Sequence, residues 1–250
     1  MNTPVNAPAA AAALLRDVAT IERAGPRAVE RVAEVQALLG DDMAYVQGEL
    51  ARVVRDGVSP ATNAAADLLE AGGKRVRPMT VLLSAACFGA ATGRVRDLAV
   101  VAELVHLATL LHDDVIDDGQ ERRGCPAPRR VWGNAVSVLA GDLLLTHALE
   151  RTALAGLPAV LADLFVTLRR LVDGEIVQLR GRANLDVREE VYFRIVRDKT
   201  ASLFQWAARA GARAAGAPDD AVAALGDFGV HLGVAFQLLD DVLEIGRAHV

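Results

Sequence analysis

Apolar residues recur at three- and four-residue intervals along most of the chain. Val29, Val32, Val35, Leu38 and Leu39 form one stripe after Pro26, and Met43, Val46, Leu50, Val53 and Val54 form the next. That period puts each set on one face of an α-helix. Gly40 predicts an end to the first helix, and Asp41 a cap for the second. Asp56-Gly57 stops the second helix. Ser59-Pro60 opens a third, with Ser as cap and Pro in the first turn, and Gly72-Gly73 closes it. An apolar helix is predicted over Met79–Phe88, broken by Gly89 and Gly93. Further helices are predicted over 97–117 and 135–154, and from Pro158 through Leu161, Leu164, Leu168, Leu171, Val172 and Ile176. A polar loop is predicted from Arg180 to Asp186. Helix resumes over Val191–Lys199 and Ser202–Ala215, and again from Asp219 to an acidic cluster near the C-terminus. The pattern predicts an all-α chain, a single-domain bundle of about ten or more helices over 27–243. The first 26 residues are rich in Ala and Pro and are expected to be poorly ordered.

Composition sharpens this picture. Of 250 residues, 52% are hydrophobic and only 4% aromatic, with Ala, Leu and Val dominant, which favours helices over a β-sandwich. A net charge of −5 argues against a nucleic-acid-binding surface. Two cysteines, Cys87 and Cys125, make no disulfide framework and fit a reducing, cytoplasmic setting. No uninterrupted apolar run of about twenty residues occurs, so no transmembrane helix is expected. The N-terminus lacks a basic leader, and Arg16 interrupts its apolar stretch.

The candidate chemistry lies in two acidic clusters and one basic one. The apolar run Leu98–Leu111 leads into Asp113, Asp114, Asp117 and Asp118. Asp113 and Asp117 fall one helical turn apart, a mildly destabilising spacing for like charges that no Lys or Arg relieves. A cation is the expected partner, and Mg²⁺ commonly takes one or two carboxylates plus substrate phosphates. Arg122 and Arg123 follow at once, as at a metal-bridged phosphate site. A second apolar run ends in Asp240, Asp241 and Glu244, with Gln237 one turn earlier. Between Gly72 and Pro78, two glycines precede Lys74, Arg75 and Arg77 near a helix start, which suits an anion.

Together these stretches resemble the trans-polyprenyl diphosphate synthases. The family's two aspartate-rich motifs match Asp113–Asp117 and Asp240–Glu244. Its G-G-K-R-x-R-P motif matches Gly72–Pro78, and its K-T pair matches Lys199 and Thr200. The resemblance implies the isoprenoid synthase fold, with helices around a central cavity, and an Mg²⁺-dependent condensation of isopentenyl diphosphate with an allylic diphosphate. It places isopentenyl diphosphate on Lys74, Arg77, His106 and Arg123. It places the allylic diphosphate on Arg122, Lys199, Thr200 and Gln237, the last three also catalytic, and the metal on Asp113, Asp117 and Asp240. Ala108 and Thr109 would lie about 7.5 and 6 Å below Asp113 along the helix. In the family aromatic residues there mark short products, so these small ones imply geranylgeranyl or longer. A homodimer is implied as well. The competing readings are a terpene cyclase, a noncatalytic subunit of a heteromeric synthase and an inactive truncated fragment.

Family members continue past the second acidic motif, so this chain reads as C-terminally truncated. Its ending, E-I-G-R-A-H-V, also reads as a translated sequencing adapter. Residues 244–250 are therefore expected to be non-native, with Glu244 standing where the family has Asp. Resequencing the source locus tests this, and a native stop codon after Val250 would refute it.

Overall fold

A computed structural model describes residues 26–89, 91–184 and 188–247. The expected disorder of the N-terminal segment and the end of the expected non-native tail lie outside the described residues. Among those described, ten α-helices, one π-helical segment and a two-stranded hairpin make an all-α protein. Contacts cluster into two compact units, Met1–Met79 with Val100–Arg151, and Thr80–Ala99 with Thr152–Val250.

The first unit opens with α1 (Pro26–Val53), one continuous helix. The break expected at Gly40 does not occur. A mid-helix glycine costs about 1 kcal/mol relative to alanine. Leu39, Met43, Val46 and Leu50 on one face are all buried, and each is worth about 1.5–3 kcal/mol. The stripe outweighs the glycine. Then come α2 (Ala61–Glu70) and the start of α3 (Val76–Ala86), followed by most of α4 (Gly93–Ile116). Along α4, Leu98 to Leu104 and then Val105, Leu107, Ala108 and Leu111 are buried on every side, as in a core helix. The strands β1 (Glu121–Arg122) and β2 (Cys125–Pro126) pair antiparallel across Arg123-Gly124, both at positive φ. Such two-residue turns match the strand twist. After α5 (Pro128–Trp132) comes α6 (Asn134–Leu154). It is tied to α1 by Arg151 Nη2 on Glu49 at 2.7 Å.

The second unit is built on α7 (Pro158–Asn184), α8 (Glu189–Ile195), the π segment Val196–Ala201, α9 (Ser202–Ala214) and α10 (Asp219–Arg247). Helix α7 runs through much of the loop expected over 180–186, while residues 185–187 lie outside the described set. Gly226, Gly229 and Gly233 line α10 where it meets α9. A β-carbon at Gly229 would fall 2.6 Å from the Phe204 carbonyl oxygen, and one at Gly233 would fall 2.5 Å from the Ala201 Cα. The missing side chains let the two backbones approach closely. Over Asp219–Leu243 this helix is long and apolar enough to cross a membrane by length and composition. A core helix passes the same test, and Asp227 and His231 interrupt its apolar run, so the length and composition of this one helix do not overturn the expectation of no transmembrane segment.

Candidate active site

In the first unit the four aspartates separate by role. Helix α4 ends in a left-handed residue, Asp118 (φ 53°), and the Gly119 amide donates to the Asp114 carbonyl at 2.9 Å. This helix-ending motif satisfies carbonyls that lack helical partners. Asp114 is buried and accepts Arg122 Nε at 3.0 Å and Nη2 at 2.5 Å. Asp118 pairs with Arg129 at 2.9 Å, and Arg129 also reaches the Gly119 carbonyl. Asp114 and Asp118 thus tie the hairpin loop back onto the helix. Asp113, half-buried, and Asp117, exposed, are the pair one turn apart at the helix end, where the Asp117 amide donates to the Asp113 carbonyl at 2.8 Å. The helix dipole is negative there, so carboxylates are disfavoured by about 0.3–1 kcal/mol each unless a cation joins them. Among the described residues no three His, Cys, Asp or Glu side chains cluster to hold a metal. Asp113 and Asp117 offer two carboxylates, the donor type that hard divalent ions take together with phosphate or water.

The basic motif faces two ways. Arg75, at φ 50°, turns inward and is buried, pairing with Glu103 at 2.5 Å and donating to the Leu69 carbonyl at 3.1 Å. A lone glutamate inside the apolar run of α4 is the sequence signal for this pair. Arg77 is half-buried and Lys74 exposed. Gly73 (φ 151°) lies against the Arg123 guanidinium, where a β-carbon would fall 2.9 Å from Nη1. The turn of the hairpin thus places Arg123 beside the glycine loop. His106 is half-buried on α4. Its imidazole is held well below the usual histidine pKa, first by burial and then by Arg77, Arg123, Arg75 and Arg122. It is neutral at pH 7 and sits within a cluster of cations. The Arg123 guanidinium is itself pushed down by burial and by Arg75, with Glu103 opposing. Ala108 is buried on α4, and Thr109 donates to the His106 carbonyl at 2.8 Å.

In the second unit Lys199 and Thr200 lie in the π segment, which the sequence pattern presents as ordinary helix. Such segments are often found at functional sites. Gly174 on α7 makes room for it, since a β-carbon there would fall 2.9 Å from the Lys199 amide nitrogen. Lys199 pairs with the buried Glu175. Thr200 donates to Gln237 Oε1 at 2.8 Å, and Gln237 Nε2 donates to Asp241 Oδ1 at 2.7 Å. Tyr192 donates to the other oxygen of Asp241, and burial followed by that bond raises its phenol to about 12. One chain of hydrogen bonds, Tyr192–Asp241–Gln237–Thr200, therefore fixes the second acidic motif against the K-T pair. Both Asp241 oxygens are engaged, and its neighbour Asp240 is half-buried. Nothing at sequence level marks Tyr192, seven positions before Lys199.

Residues 59–248 match the family model described as polyprenyl synthetase. The chain is 41% identical over 208 residues to heptaprenyl diphosphate synthase component 2 of Geobacillus stearothermophilus, covering 83% of this chain and 65% of that protein. It is 35% identical over 211 residues to octaprenyl diphosphate synthase of Escherichia coli, covering 84% and 65%. Among solved structures it resembles a Caulobacter crescentus polyprenyl synthase complexed with calcium and isoprenyl diphosphate, with TM-score 0.82, 39% identity and coverage of 85% and 65%. The chain spans about 60–65% of the length of the curated relatives it matches most strongly. The described fold, the ordered motifs and this likeness agree: the chain belongs to the polyprenyl synthetase family.

Proposed function

We propose that this protein is a prenyltransferase that condenses isopentenyl diphosphate with an allylic diphosphate to give a trans-polyprenyl diphosphate, geranylgeranyl or longer. The observation that carries the reading is the neutral His106 set among Arg75, Arg77, Arg122 and Arg123, on the same helix as the Asp113/Asp117 pair. A cluster of cations on the helix that ends in a carboxylate pair suits a metal-bridged polyphosphate. Magnesium would be held in the first unit by Asp113 and Asp117, with Asp240 assigned to it by the family resemblance alone, and would stabilise the charge that develops on the diphosphate leaving group. Lys74, Arg77 and Arg123 bind the diphosphate of isopentenyl diphosphate, and the neutral His106 offers it an N–H. Arg122, fixed by Asp114, borders the same cluster. Lys199 meets the allylic diphosphate, exchanging its pairing with Glu175 for the phosphate oxygens. The Thr200 hydroxyl points its proton at Gln237, so its oxygen lone pairs remain to face an allylic cation. Loss of a proton to the departing diphosphate completes each addition. Small residues at Ala108 and Thr109 support a long product.

Labelled isopentenyl diphosphate supplied with farnesyl diphosphate and Mg²⁺ tests the reading. The expected product is a chain-extended diphosphate, abolished by EDTA. No incorporation by folded protein overturns it. A hydrocarbon formed without isopentenyl diphosphate would indicate a cyclase instead. For assembly, a homodimer is our first reading. The Geobacillus relative is named as a second component, which supports a two-component alternative. The mass in solution, alone and with added partner, separates the two.

A further inference from the structure

The π segment Val196–Ala201 packs against α7, and one side chain of α7 grips it. Arg170 lies one turn before Gly174, on the same helix face. Its Nε donates to Asp198 Oδ1 at 2.9 Å, its Nη2 to the Arg197 carbonyl at 3.0 Å and its Nη1 to Gln205 Oε1 at 2.8 Å. Two of these acceptors lie inside the π segment and the third lies one turn beyond it on α9. A π segment holds one residue more than the α-ladder accommodates, so it persists only where outside partners hold it. If it relaxed to α, the residues before it would rotate by about 100° relative to α9, the angle of one residue at 3.6 per turn. Lys199 would then no longer point where it does.

We propose that Arg170 is a positioning residue: its three-way grip on Arg197, Asp198 and Gln205 holds the π register and so sets the direction of Lys199 and Thr200. This rests on the reading of those two residues as the allylic diphosphate site. Arg170 belongs to none of the acidic or basic motifs, and its three hydrogen bonds go to Asp198, Gln205 and Arg197. It acts through the backbone that carries them.

The test is R170M, which keeps the aliphatic stem and removes all three donors, beside R170K, which keeps the charge. Amide exchange over 196–201 reads the segment, and steady-state kinetics with farnesyl and isopentenyl diphosphates read its consequence. R170M is expected to speed exchange in that segment about tenfold and to leave α2 unchanged. Its KM for the allylic substrate should rise about tenfold, with the KM for isopentenyl diphosphate within about twofold, as for loss of one charge-assisted hydrogen bond. R170K should fall between. Unchanged exchange, faster exchange throughout the chain, or equal shifts in both KM values overturn the proposal. If the unsubstituted chain turns over no allylic diphosphate, the prenyltransfer reading falls and the exchange result alone decides whether Arg170 holds the segment. If R170M does not fold, D198N, which removes the charge from one of the three contacts, is expected to show the same pattern at smaller size.

Discussion

The two units carry candidate chemistry in opposite ways. In the first, the groups sit on a helix end, a glycine loop and a hairpin turn, and left-handed residues at Arg75, Asp118 and Arg123 aim them. In the second they sit within helices, and close backbone packing at Gly174, Gly229 and Gly233 aims them. Loops let several cations converge without sharing a helix face, which suits a polyanion. Packed helices fix a short chain of directed hydrogen bonds, which suits the placing of a few dipoles beside a reactive carbon. The difference teaches that the converging charges of the first unit are held by buried ion pairs, and the directed hydrogen bonds of the second by steric fit.

The largest effect expected is at the acidic helix end. Asp113→Ala should lower turnover about a thousandfold, the upper range for removing one preorganised electrostatic group. Unfolding with urea should show little loss of stability, because like charges at a helix C-terminus are unfavourable. A large stability loss would make Asp113 structural. Next is the buried pair of the first unit. Glu103→Gln leaves Arg75 buried without its counter-charge and should cost about 3 kcal/mol of unfolding free energy. A cost within error of zero would show that the pair does not hold the loop.

The matching change in the second unit is steric. Gly229→Val forces a side chain into the Phe204 carbonyl and should cost about 1–3 kcal/mol. It should also weaken the Thr200–Gln237 contact, so turnover should fall more than binding of isopentenyl diphosphate. Equal losses in both would remove the contrast between the units.

A smaller effect concerns pH. His106 has a depressed pKa in the folded state, so below about pH 6.5 the unfolded chain takes up a proton that the folded chain refuses. Stability should therefore be full above that pH and fall as pH drops, by up to about 1.4 kcal/mol per pH unit from this group. H106Q should flatten that slope. Inorganic diphosphate should flatten it too in the unsubstituted protein, because an anion offsets the surrounding guanidinium charges. No change with diphosphate would count against an anion site. The smallest effect is spectroscopic. This chain has two tyrosines. One tyrosinate step near pH 12, absent in Y192F, is expected from Tyr192. A step near pH 10 that Y192F removes would mean that its bond to Asp241 is not formed.

Much of this was legible in the sequence. Helical periodicity located most of the elements, because burial of one apolar face decides them locally. Helical spacing singles out Asp113 and Asp117, whereas His106, Lys199 and Thr200 stand out only through the family resemblance of their motifs. Tertiary packing alone decided three further things. It carried α1 through Gly40, since the buried stripe outweighs a local propensity. It set Asp114 and Asp118 apart as braces from Asp113 and Asp117, since only the fold brings Arg122 to Asp114 and Arg129 to Asp118. And it placed Lys199 and Thr200 on a π segment gripped by Arg170, with Tyr192 clamping Asp241. Those partners lie 28 and 49 positions apart. No local pattern reports them, because the energy that selects them arises only when distant surfaces meet.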